Sequence, residues 1–149
     1  MVTDGYPEYC VFWSRSEFRG SDVFEIFPGD FSGEITWQNA GSGYVREEAF
    51  APFNELLLAV APRFDWYGAT RLGRRASLRL IKRLEVLAAA VDSARTAADL
   101  HAAFGNRRLW VDQTNVLVRR VQLLKMIADL QLLARTSISK QTGSWLLGP

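Results

Sequence analysis

Nucleophilic catalysis through a Ser–His or Cys–His pair needs an imidazole beside the nucleophile. The chain offers one histidine, His101, in an alanine-rich stretch, and one cysteine, Cys10, among apolar residues. No adjacent cation or helix start lowers the Cys10 pKa, so it reads as a small core residue, and His101 reads as an ordinary helix residue. A zinc site requires several Cys or His ligands, which one of each does not supply. Asp22, Glu25, Asp30 and Glu34 are near enough to cluster but lack the spacing of an EF-hand loop, so no metal and no cofactor are expected. Neither GxxxxGK[ST] nor GxGxxG occurs, and the stretch between Gly68 and Gly73 lacks the lysine and the preceding strand of a phosphate loop. A dispersed acid–base pair remains open, because its carboxylates can come from distant segments. Nothing selects Glu47 with Glu48, or any other pair, for that role. The expectation is a protein that is not an enzyme.

Two charged surfaces remain once catalysis is set aside. Residues 1–65 hold eleven acidic against four basic side chains, and residues 66–149 hold five acidic against fourteen basic, so a formal net charge of +2 hides halves of −7 and +9. Within the basic half, Arg71, Arg74, Arg75, Arg79, Lys82 and Arg83 fall within thirteen residues without an acid. Facing outward together they would neutralise several phosphates, although no RNP, helix-turn-helix or zinc-finger signature accompanies them. Facing inward they would pair with the acidic front, and Arg107, Arg108, Arg119 and Arg120 would extend the patch or be buried partners. The acidic half interleaves Asp22, Glu25, Asp30, Glu34, Glu47 and Glu48 with Trp13, Phe31, Trp37 and Tyr44. Carboxylates steer a basic partner and aromatic side chains anchor it; an ordinary strand surface over a ring-filled core has the same composition.

These side chains need a scaffold, and the chain is long enough for one. Its 149 residues suit a single domain, with 48% hydrophobic and 23% charged residues placing it among globular proteins. Its apolar runs are interrupted by Asn54, Glu55, Lys125, Asp129 and Gln131, so no membrane span is expected. Residues 1–8 show neither a basic region nor an apolar run, and a cytoplasmic address is the expectation.

Residues 9–13 and 22–27 are β-branched and aromatic and predict strands. The second run carries apolar side chains on both faces, as a strand buried on both sides does. Residues 33–38 alternate Ile35 and Trp37 against polar neighbours and predict a third strand, and residues 44–46 a short fourth. From Ala49 the period turns helical until Pro62, and residues 63–73 form a ring-rich loop expected to pack in part on the sheet. Residues 74–91 predict an amphipathic helix with a basic outer face. Thr96 caps a short helix ending near Gly105. Residues 112–135 predict a long helix whose apolar residues, Leu117, Val121, Leu123, Leu124, Ile127, Leu130 and Leu133, cover most of its circumference, hence a largely buried packing element. The tail from Thr136 reads as irregular, with Trp145, Leu146 and Leu147 docking either on the domain or on a partner. The fold class is therefore α+β: a short antiparallel N-terminal sheet (strand-rich, acidic, residues 1–48) packed on a C-terminal helical bundle (basic, residues 49–149), all one domain.

In size, in its aromatic front strands (Val11, Phe12 and Trp13; Val23 to Phe27; Ile35, Thr36 and Trp37) and in its helical remainder, the chain resembles small bacterial immunity proteins, which neutralise toxins passed between competing cells. The likeness is one of style, spans the chain loosely and transfers no functional residue; many immunity proteins that block nucleases are acidic, whereas this chain has a pI near 8.9. The resemblance implies a cognate protein toxin as partner, a basic nuclease being the kind suited to the acidic face, and inhibition by occlusion of its active site. The basic residues 71–83 imply the alternative, a nucleic-acid-binding module. Oligomeric state stays open.

Overall fold

The structure, a computed structural model, describes residues 8–29, 41–105 and 109–149. The predicted strand at 33–38 lies outside them. Four strands, β1 (Val23–Pro28), β2 (Gly43–Arg46), β3 (Ala69–Leu72) and β4 (Ser144–Leu147), form one antiparallel sheet in the order β2-β1-β4-β3. Helices pack against it: α1 (Glu47–Phe50), α2 (Asn54–Val60), α3 (Arg74–Ser93), α4 (Ala97–Ala103) and α5 (Val116–Ser139). The architecture is α+β, with α3 and α5 packed along each other beneath the sheet.

Two strands arise where the sequence pattern predicts none. The loop after α2 closes into β3, and the tail closes into β4, which lies inside the sheet with Leu146 paired to both Ile26 and Thr70. Leu146 and Leu147 are buried on opposite faces, so the apolar end of the chain docks on the domain itself. Conversely, residues 9–13 form no continuous strand: only Phe12 pairs with Tyr44, through a reciprocal pair of 2.8 Å hydrogen bonds. The chain then turns into a 3₁₀ segment at Arg15–Glu17, where Ser14 caps the turn and the Trp13 amide donates to Glu17 at 2.8 Å. Local side-chain acceptors here outcompete a sheet ladder.

The two faces of β1 explain its unbroken burial. Phe24 and Ile26 join the main core with Val45, Leu72 and Leu146, while Val23 shares a second cluster with Tyr44 and Phe18 on the opposite side. Gly43 lets β2 approach α5, since a Cβ there would stand 2.6 Å from a Leu133 methyl and 2.8 Å from Val11. Trp66 of the ring-rich loop packs edge-on against Phe24 at 4.6 Å between centroids.

The helices follow their patterns with one correction. In α3, Leu80, Ile81, Leu84, Leu87 and Val91 face inward at helical spacing. In α4, Thr96 and Asp99 form a reciprocal capping box, the Asp99 amide donating to Thr96 and Asp99 accepting from the Thr96 amide. Hydrogen bonds from the Arg95 amide and then the Thr96 amide hold the Asp99 carboxyl below its ordinary range. In α5, Leu123, Met126, Ile127, Leu130 and Leu133 are buried. Leu117 and Val121, expected inside, are 70% and 63% exposed, and Leu132 also faces outward. α3 covers one side of α5 and the sheet another, and among the described residues no element covers the side that carries Leu117 and Val121.

Deep inside α5 sits Arg119, fully buried, donating to Gln122 at 2.9 Å with its guanidinium 5.7 Å from the Tyr9 ring. The Tyr9 hydroxyl accepts from the Trp110 amide at 2.8 Å, tying the start of the described chain to the segment that leads into α5.

If β4 is the interior strand described, Leu146→Ala leaves a hole in the core and costs about 2–5 kcal/mol. Leu117→Ala removes an exposed side chain and shifts stability by no more than about 0.5 kcal/mol. Urea unfolding of the two variants beside the parent measures both.

Candidate functional site

The acidic surface expected at the front does not assemble among the described residues. Glu25 is 0% exposed, on the inner stretch of β1 opposite Tyr44 and Leu147, where its carboxylate accepts from the Ser42 hydroxyl at 2.7 Å. The expectation that it meets a partner is corrected: its place in a central strand commits it to the interior. Glu47 is half-buried and accepts from the Trp66 indole at 2.8 Å, so it anchors the ring-rich loop. Asp22 and Glu48 are exposed. Asp30, Glu34 and Trp37 lie outside the described residues, as does Phe31.

The basic residues behave differently. Arg71 of β3 and Arg74, Arg75, Arg79, Lys82 and Arg83 of α3 are all exposed, and among the described residues none of them forms an ion pair with a carboxylate. The alternative, a basic helix folded against an acidic front, is not what the described residues show. Helix geometry explains the display: with positions 77, 80, 81, 84, 87 and 91 turned into the core, positions 75, 79, 82, 83 and 86 must turn away from it. Ion pairs do occur elsewhere, between Arg120 and Asp92 at 3.0 Å and within α5 between Lys125 and Asp129 at 2.9 Å. Arg120 also donates to the Val91 and Asp92 carbonyls at the end of α3, where a cation complements the helix dipole. Arg119 and Arg120 therefore belong to the packing between helices and do not extend the basic patch; Arg107 and Arg108 lie outside the described residues.

Beside the basic face runs an open groove of about 500 Å³ between α3, α2 and α4. Arg79, Lys82 and Arg83 rim it, while Leu56, Val86, Leu87, Ala90 and Ala103 floor it. Arg79 is steadied by a 3.3 Å hydrogen bond to the Val60 carbonyl. Leu56, Leu87 and Ala103 also line an adjoining pocket of about 130 Å³ that reaches Phe53 and Phe104. By contrast, the cavity within the core, between Ile26, Leu57, Leu84 and Leu130, holds about 20 Å³, space for about one water molecule. The periodicity of α3 marks which of its residues face out, but the sequence alone does not reveal that Leu56 and Ala103 lie across from them, because that depends on how three helices meet.

The residues considered for chemistry sit in structural roles. His101 Nε2 lies 3.3 Å from the Val111 carbonyl, linking α4 to the segment before α5. Cys10 is half-buried; burial first, and then the Glu8 carboxylate, push its thiol up to about 11, so it is protonated and a poor nucleophile at neutral pH. Among the described residues no group of three or more His, Cys, Asp or Glu side chains is placed to hold a metal, and no helix is long and apolar enough to cross a membrane. Comparison with protein-family models, with curated proteins and with solved structures finds no match to this chain.

The buried thiol and phenol set a pH dependence. Burial raises Cys10 from 9.0 to about 11 and Tyr44 from 10.0 to about 12, so the unfolded chain releases these protons first as pH rises. Native stability from these groups is whole below pH 9 and is lost progressively on the way to pH 12, over the interval those values define. The urea midpoint followed from pH 8 upward should fall across that window, and Cys10→Ala should flatten its lower part. Iodoacetamide at pH 8 should label native Cys10 far more slowly than the urea-unfolded chain, because little thiolate is present below about pH 11.

Proposed function

We propose that the chain is a non-enzymatic protein-binding protein of the immunity kind, which neutralises a cognate toxin by covering the toxin's active site. The observation that carries this reading is the outward basic face of α3, free of ion pairs among the described residues and continuous with exposed apolar side chains such as Leu78 and Val86. Interfaces between proteins combine charge that steers with apolar area that anchors, and both are present on one helix here. The fit is to a toxin that presents acidic groups around its active site. A basic nuclease, the partner suited to an acidic front, draws less support, because Glu25 is buried and Glu47 is half-buried and engaged by the Trp66 indole.

Nucleic-acid binding is the second reading, and the same exposed cations, Arg71, Arg74, Arg75, Arg79, Lys82 and Arg83, favour it. Its mark is salt: affinity for a duplex falls with a log–log slope of about −0.9 per phosphate neutralised.

The test is co-expression with the toxin encoded by the neighbouring gene. The expected result is co-purification as a stable complex and survival of the expressing cells, both lost on Arg75→Glu with Lys82→Glu, which should leave the urea midpoint close to that of the parent. Absence of both complex and protection, together with duplex binding that tightens as salt falls, would replace this reading by the second.

A further inference from the structure

We infer that the groove between α2, α3 and α4 is the seat of an acidic amphipathic segment of the partner protein, which lays carboxylates against Arg79, Lys82 and Arg83 and inserts an apolar side chain toward Phe53 and Phe104. The inference rests on the protein-partner reading above and names the chemistry of the partner's contact.

Three observations bear on it. First, the rim is unbalanced: Lys82 and Arg83 are exposed with no ion pair among the described residues, and Arg79 is held in place by a neutral carbonyl, not a carboxylate. An incoming carboxylate therefore meets cations that have no ion-pair partner to leave among the described residues. Second, the floor is apolar and partly open, with Val86 72% exposed and Leu56 half-buried. Phosphate backbones gain nothing from such a floor, whereas a leucine-sized side chain gains the area it buries. Third, the dimensions suit a segment and not a small molecule. From Arg79 to Ala90 the groove follows α3 for about 16 Å, some three helical turns. The adjoining pocket of about 130 Å³, which shares Leu56, Leu87 and Ala103 with it and has Glu55 as its one charged lining residue, is of a size for one aliphatic side chain and suits the uncharged edge of the segment. A basic rim over an apolar floor with a terminal anchor pocket is the complement of an amphipathic helix with one acidic edge.

The probe is a fluorescein-labelled peptide of about twelve residues, with leucines at i and i+4 and glutamates along one flank, compared with its Leu→Ser counterpart and with a labelled DNA duplex of about sixteen base pairs. Fluorescence anisotropy is read for the parent, for Lys82→Glu with Arg83→Glu, and for Val86→Ser, all substitutions of exposed side chains. The expected result is that the parent binds the leucine peptide, and that each variant and the Leu→Ser peptide weakens binding by about tenfold or more. Weakening by charge reversal alone, with Val86→Ser unchanged, overturns the apolar groove and leaves the basic-face reading standing. Duplex binding without peptide binding overturns the groove and the protein-partner reading together. Binding of neither probe overturns the groove, while neutralisation of the neighbouring toxin decides the broader reading separately.

Discussion

The pairing of β4 with β1 on one side and β3 on the other joins the last residues of the chain to its first strand and to its middle. Among the described residues β3 has no other strand neighbour in the sheet, so its ladder hydrogen bonds are made with β4. Gly73 connects β3 directly to α3, and the direction in which that helix leaves the sheet is set by the strand before it. Leu146 joins the main core, and Leu147, on the other face of β4, is fully buried as well. The start of α3 is thereby tied through β3 to β4, while the length of the helix, and with it the outward display of its cations, is held by packing along α5 and α2.

Among the described residues, burial takes two front-half acids out of play and leaves the α3 cations outside. Glu25 is taken into the sheet and Glu47 onto the ring-rich loop, whereas the cations of α3 are excluded from the core by the helix period. Arg119 shows the converse: a cation enters the core where Gln122 and the face of Tyr9 receive its guanidinium. Along α3 the outward surface is a basic ridge bordered by apolar side chains, a composition that suits recognition.

Periodicity made the helices legible. The alternation of 3.6-residue spacing in α3, the Thr96 and Asp99 cap of α4 and the helical turn after Ala49 each depend on contacts within a few residues, and the sequence shows such contacts directly. β3 and β4 were not legible, because each is four residues long and is a strand only by virtue of partners far away in the chain. The outward side of α5 was hidden for a related reason: Leu117 and Val121 match the apolar pattern as well as Leu123 does, and only the number of elements packed around the helix decides which are covered. Of the site, the basic positions were readable from their density in the sequence, but the groove was not, since Leu56, Val86 and Ala103 come from three helices. The burial of Glu25 was foreshadowed by apolar neighbours on both faces of its strand.

The claim on which the functional account rests is that the outward cations of α3, which form no ion pair among the described residues, are not held by acids of the same chain. Its most direct measurement is the salt dependence of stability in the parent and in a variant carrying Arg75→Gln with Lys82→Gln. Cations that only repel one another are relieved by screening and by neutralisation alike. The account predicts that the variant is at least as stable as the parent at low ionic strength, and that added sodium chloride narrows the difference. A variant clearly less stable than the parent at low salt, with the loss shrinking as salt is added, would show these residues paired with acids of the same chain and would contradict it.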